Sequence, residues 1–191
     1  MKAIALIPGC SVLALVTGLG FLPAHGQNAP AAPAPTPANA ALAHVRNEFA
    51  FTVRAPYAKA APLFGADAER AWAGDWNPKF LYPASPPLDV PGAVFEVKHG
   101  GHHATWVCTS FDLKTGHVQY VYVVGGALAT LIDIHLTARD ASSTLVEVAY
   151  ERTALTPEAN DHVRQMGESD RDSGKEWQEQ IDAYLKTASR D

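Results

Sequence analysis

Histidine is the side chain best suited to proton transfer or metal ligation near neutral pH, and the sequence groups three of them in His99-Gly100-Gly101-His102-His103. With Gly100-Gly101 as a two-residue hairpin turn, His99 and His102 oppose each other on one face and His103 points to the other. Two imidazoles leave a zinc shell incomplete, and no Asp, Glu or Cys adjoins them. No metal site is assigned there. Asp133 and His135, with Glu147 nearby, read as cross-strand pairing on a wet sheet face. Asp170 falls inside the apolar stripe Val163, Met166, Trp177, Ile181, Tyr184 and Leu185 of a C-terminal helix. A lone buried carboxylate costs several kcal/mol unless paired, so Arg152, Arg171 or solvent is its expected partner. To act as a general acid or base it needs a second group within hydrogen-bond reach. Cys108 lies in a strand and reads as a buried, inert thiol. No Gly-rich phosphate loop, paired-cysteine motif or nucleophile elbow is present. No catalytic residue and no cofactor is assigned.

These side chains must be placed by a run of strands. Ala104–Phe111, His117–Val124, Leu128–Ala138 and Ser143–Glu151 are rich in Val, Ile, Thr, Trp and Tyr, with short turns between them. Alternation gives each strand two faces. Val118, Tyr120, Tyr122 and Val124 share one face of the second; Ile132, Ile134 and Leu136 share one face of the third. In the fourth, Val146, Val148 and Tyr150 oppose Leu145, Glu147 and Glu151. An antiparallel meander of this kind needs a cover for its apolar face. The segment after Pro157 supplies it, with Thr156 as N-cap and Pro157 in the first turn. Earlier, Glu48–Val53 alternates as a strand and Tyr57–Phe64 reads as a short helix ended by Gly65. Asp67–Ala73 reads as a second helix with Asp67 as N-cap. Asp75–Pro91, with five prolines, reads as an irregular lid or binding loop. Val94–Lys98 is a further strand. The fold class expected is α+β: an antiparallel sheet wrapped around a C-terminal helix.

The chain's first part belongs to targeting. Lys2 precedes the apolar run Ala3–Leu22, and Ala24 and Gly26 fit a secretory cleavage site before Gln27. Residues 1–26 are therefore expected to be a signal peptide, 27–43 an Ala/Pro-rich disordered leader, and 44–191 the folded domain. The expected product is exported, periplasmic or secreted from a bacterium, without a stable membrane anchor. Losing Lys2 leaves 14 basic against 20 acidic residues, a net −6. That balance argues against nucleic acid and anionic membranes as partners. Cys10 leaves with the expected signal peptide, so Cys108 has no intrachain partner.

The order strand, two short helices, long meander, C-terminal helix is that of the helix-grip fold. The sequence resembles the START-like (SRPBCC) superfamily, which includes lipid-transfer START domains, birch-pollen-allergen relatives and polyketide cyclases. The likeness spans about residues 44–187. It is carried by Phe49–Pro56, by Trp72-Ala73-Gly74-Asp75-Trp76-Asn77-Pro78-Lys79-Phe80-Leu81-Tyr82-Pro83, by Gly92-Ala93-Val94-Phe95 and by Thr144–Leu155. The resemblance implies a cavity between curved sheet and last helix that takes a small hydrophobic or amphipathic molecule, lipids included, and it supplies no universal catalytic residue. Its expected walls are Trp106, Tyr120, Tyr122, Ile134, Val148 and Tyr150, with Asp170 orienting the ligand. Trp72, Trp76, Phe80 and Tyr82 would form a gate or a plug. Magnitudes constrain this picture. At about 24 cal/mol per Å3, an empty apolar cavity of ~300 Å3 would cost roughly 7 kcal/mol, comparable with the ~5–15 kcal/mol stability of a domain. A real cavity must hold ligand or water, or be partly polar. Two rivals stand beside the binder: a cyclase or dehydratase using Asp170 with Tyr122 or Tyr150, and an interaction domain with no ligand. The oligomeric state is not readable.

Overall fold

A computed structural model describes residues 41–99 and 102–188 of the chain. Its strands are β1 (His44–Val53), β2 (Lys79–Tyr82), β3 (Val94–His99), β4 (His102–Asp112), β5 (His117–Val124), β6 (Leu128–Asp140) and β7 (Ser143–Ala154). Its helices are the single turn α1 (Tyr57–Ala60), α2 (Asn160–Ser169) and α3 (Ser173–Ala188). The expected leader, most of the Ala/Pro-rich tract and the Gly100-Gly101 turn lie outside the described residues. The strands form one antiparallel sheet in the order β1-β7-β6-β5-β4-β3-β2, with His99 opposite His102 across the β3–β4 hairpin. This is the helix-grip, α+β architecture.

Alternation decides which face is covered. Val118, Tyr120, Tyr122, Ile132, Ile134, Leu136, Val146, Val148 and Tyr150 are all buried, while their odd-numbered neighbours form the outer face. The α3 helix lays Trp177 and Ile181 against this apolar surface, both buried. Two glycines set how close it comes. A Cβ on Gly174 would sit 2.9 Å from Phe49 Cδ2, and one on Gly167 would sit 2.9 Å from Asn47 Nδ2. Only a residue without a side chain lets the helices rest this near β1.

Three local expectations are corrected. The helix after Pro157 is broken, tightening to a 3-10 turn over Asp170–Asp172 between α2 and α3, where Asp170 turns inward. The stretch 75–91 contains the edge strand β2, bracketed by Pro78 and Pro83; prolines are compatible with an edge because its outer amides need no strand partner. The helix expected at Asp67–Ala73 is a 3-10 turn, Ala68–Ala71, and Asp67 itself has helical angles and makes no capping bond. Asp89 takes over that role from a distance in sequence, its Oδ1 accepting the N–H of Asp67 at 2.9 Å.

Candidate functional site

The 3-10 turn that replaces the expected helix carries Glu69. Its neighbours hold it rigidly. Trp72 Nε1 donates to the Leu63 carbonyl at 2.7 Å, Trp76 Nε1 to the Ala66 carbonyl at 2.7 Å, and the Tyr120 hydroxyl to the Phe64 carbonyl at 3.1 Å. From the other side the Asp89 carboxylate fills the place where a side chain on Gly65 would go. The stretch leading into the turn, residues 63–66, is thus tied to the two-Trp segment by the indoles and to β5 by the Tyr120 phenol. Glu69 points inward and is buried, 7% exposed.

It faces a small cavity under α3. Trp76, Phe95, Trp106, Tyr120, Tyr150 and Trp177 form the aromatic walls, and Ala66, Ile132 and Ile134 close the rest. The centre of a water molecule can range over about 20 Å3 there. One water needs about 10–15 Å3 on this measure, so the space admits a water and nothing much larger. The rings account for the filling. Trp76 meets Trp106 edge-on at 5.2 Å, Phe95 stacks on Trp106 at 5.7 Å, and Tyr150 meets Trp177 edge-on at 6.5 Å.

Two polar groups share this interior without partners. The Glu69 carboxyl makes no hydrogen bond to any described residue. The Trp106 Nε1–H is buried and likewise unpaired. Burial, reinforced by the nearby Asp89 charge, pushes the Glu69 carboxyl well above the usual carboxylate range, which favours the protonated form, able both to donate and to accept. Burial also pushes up the Tyr120 hydroxyl, with Glu69 adding to the effect, and raises Tyr150 against the opposing pull of Arg152. The Cys108 thiol is pushed up to about 12 by burial, with Asp89 adding to the effect. It is not a nucleophile.

Of the residues singled out in the sequence, Trp76, Trp106, Tyr120, Ile134 and Tyr150 come together around this cavity. Tyr122 and Val148 are buried beside it, Tyr122 stacked on Trp106 at 4.3 Å. Asp170 sits elsewhere. Arg152 donates to it twice, from Nε to Oδ2 at 2.9 Å and from Nη2 to Oδ1 at 2.7 Å. Arg152 Nη1 donates to Thr130 Oγ1 at 3.2 Å and to the Tyr122 hydroxyl, and the guanidinium lies 4.4 Å from the Tyr150 ring centre. With both oxygens engaged, Asp170 is the anion of a buried pair, not a free acid or base for Tyr122 or Tyr150. Tyr82 stands outside, 65% exposed. A register shift between Phe80 and Tyr82 breaks the alternation that would have turned both rings inward.

Glu69 escaped the sequence reading because Asp67-Ala68-Glu69-Arg70 looks like the polar face of a capped surface helix. Its inward turn depends on the 3-10 geometry at Ala68–Ala71, which no helical period in the sequence records.

The geometry has counterparts among solved structures. An uncharacterised protein from Rhizobium leguminosarum matches with a TM-score of 0.54 at 15% identity, over 77% of this chain and 97% of that one. Norcoclaurine synthase from Thalictrum flavum, in complex with dopamine and hydroxybenzaldehyde, matches at 0.55 and 10%, over 77% and 88%. Ara h 8.0201 matches at 0.54 and 13%, over 76% and 99%. The chain has the START-like fold. No protein-family model matches its sequence, and no curated protein does. In this chain the space between sheet and helix is almost filled, chiefly by Trp177, which packs on Phe49, Phe51, Phe64, Trp72 and Tyr150.

Proposed function

We propose that this domain binds a small apolar or amphipathic molecule bearing an oxygen atom, between the concave sheet and α3, with Glu69 and Trp106 as its polar contacts. One observation carries the reading. The Glu69 carboxyl, without a hydrogen bond to a described residue, belongs to a wall of an aromatic-lined space, and Trp106, another wall residue, has a buried and unpaired indole N–H. Leaving such groups unsatisfied costs about 1–3 kcal/mol each, a cost that a water relieves in the closed state and a ligand oxygen relieves when it takes the water's place. That a structural neighbour is a synthase in complex with two small aromatic compounds supports the ligand class.

A ligand larger than water needs a wall to yield. Trp72 and Trp76 are tied to carbonyls through Nε1, whereas Trp177 is held by ring contacts without a hydrogen bond to a described residue. Among the walls without a side-chain hydrogen bond, Trp177 is the one carried on α3 rather than on the sheet, and we take it as the wall that yields. Asp170, expected from the sequence to orient the ligand, is replaced in that role by Glu69.

The test is a titration of the purified protein with phenols, aryl aldehydes, fatty acids and isoprenoids, followed by tryptophan fluorescence and native mass spectrometry. Saturable one-to-one binding is expected for at least one class, weakened several-fold and up to about tenfold in Glu69→Leu by loss of a neutral hydrogen bond worth about 0.5–1.5 kcal/mol. No saturable binding in any class, together with bare protein on isolation from its own cells, would sink the reading. Glu69 as a neutral acid is also the proton donor a cyclase would require. Binding that survives in Glu69→Gln while product formation stops would favour that enzyme reading over the carrier.

A further inference from the structure

On the outer face of the sheet, β5 and β6 bring a second chemical group together. His117 lies directly opposite His135, and Gln119 directly opposite Asp133. Period-two alternation puts all four on the solvent side. The imidazoles stack, centres 5.0 Å apart and planes 13° from parallel, and both Nε2 atoms converge on one carboxylate. His117 Nε2 is 2.7 Å from Asp133 Oδ1, and His135 Nε2 is 3.3 Å from Asp133 Oδ2. One donor atom from each residue lies within 4.8 Å of the others.

From this convergence we propose that His117, Asp133 and His135 form a binding site for a divalent transition-metal ion of the zinc type. Two imidazole nitrogens and one carboxylate oxygen are a donor set suited to zinc, with bond lengths of about 2.0–2.2 Å. Donors bound to one tetrahedral ion lie about 3.3–3.5 Å apart, so rotation of two half-exposed rings closes the shell without backbone movement. Cross-strand pairing alone would account for one histidine on the carboxylate. It does not account for the support behind it. Gln119 Nε2 donates to Asp133 Oδ1 at 3.0 Å, and Thr109 Oγ1 donates to Gln119 Oε1 at 2.8 Å. A chain from β4 through β5 thus orients the carboxylate on β6, as outer-shell hydrogen bonds orient metal ligands. The fourth position opens on a solvent groove lined by Arg46, Glu48 and Glu147. Glu147 lies directly opposite His135 on β7 and also lines that groove, a candidate source of a further oxygen.

The site is independent of the cavity under α3 and of what that cavity binds. Its test uses tag-free protein, zinc chloride and isothermal titration calorimetry at neutral pH. One strongly bound equivalent is expected from this site. Its affinity falls at least about tenfold in His117→Ala and in His135→Ala, since removing even an outer-shell partner costs ~10–100-fold. Magnesium, which prefers all-oxygen shells, gives no comparable heat. The variant His99→Ala/His102→Ala retains the event, separating it from zinc held at the β3–β4 turn. Absence of zinc binding, or zinc affinity unchanged in both His117→Ala and His135→Ala, would overturn the proposal. Thermal unfolding supplies the second readout: zinc raises the midpoint of the wild type, and a rise of equal size in His117→Ala would equally overturn it.

Discussion

A carboxyl group without a partner inside an aromatic wall must stay neutral or work against the fold. Burial, with Asp89 nearby, raises the folded value of Glu69 and so favours its neutral form, while in the unfolded chain it returns to about 4.3. The sign follows. Below about pH 4.3 both states hold the proton and Glu69 contributes no pH dependence. Above it the unfolded state releases the proton first, so the wild type loses about 1.4 kcal/mol per pH unit until the raised folded value is passed. Urea unfolding at pH values rising from about 4.3 should show this loss set in for the wild type relative to Glu69→Gln, which carries no proton to lose; parallel curves would mean that Glu69 is solvated. The buried pair behaves in the opposite way. Arg152 and Asp170 are 4% and 5% exposed, so Asp170→Ala strands a guanidinium and should cost about 3–5 kcal/mol. Arg152→Met/Asp170→Leu together should cost little, or stabilise by about 1–4 kcal/mol. A double variant as unstable as Asp170→Ala would show that Tyr122 and Thr130 depend on the guanidinium for more than its charge.

At the scale of the element, the segment from α1 to β2 is held by few but well-placed bonds. Asp89 reaches back to the Asp67 amide at 2.9 Å, closing the long loop onto the turn that carries Glu69. Asp89→Ala should remove about 1.5–3 kcal/mol, the range for a hydrogen bond to a charged group. Amide exchange at residues 66–68 should accelerate in that variant while exchange in β5 and β6 is unchanged; uniform acceleration would place Asp89 in the global core instead. This segment was also the least legible in the sequence. The bounds of β5 are those that alternation predicts, His117–Val124, because a half-buried strand writes its two faces into every second residue. The turn at Ala68–Ala71 and strand β2 leave no such record. Their geometry comes from Trp72 Nε1, Trp76 Nε1 and Asp89 meeting carbonyls and amides distant along the chain, and no local period encodes a contact of that kind. Asp170 shows the same division. Its burial was legible from the helical stripe, and Arg152 was a named partner, but the two-point geometry that removes it from the cavity required both elements to be placed.

For the whole molecule, the decisive relation is between the terminal helix and the sheet. Gly167 and Gly174 bring the helices onto β1, and Trp177 then occupies the hollow. The remaining space of about 20 Å3 carries a cost of only about 0.5 kcal/mol at ~24 cal/mol per Å3, which resolves the stability problem that a large empty cavity would pose. Trp177→Ala inverts this arrangement. It should lower stability by about 3–5 kcal/mol while leaving the sheet intact by far-ultraviolet circular dichroism. Benzene or benzaldehyde at one hundred times its dissociation constant should return about 2.7 kcal/mol. The comparison between the two probes tests the polar contacts. The aldehyde oxygen can accept from Glu69 or Trp106 and benzene cannot, so benzaldehyde should bind more tightly by about 0.5–1.5 kcal/mol. In Trp177→Ala/Glu69→Leu that preference should shrink or reverse. If both probes rescue equally with Glu69 present, the hollow is only an apolar space and the carboxyl is not its recognition element. If neither rescues, the helix has collapsed onto the sheet, and Trp177 is a core residue with nothing behind it to open.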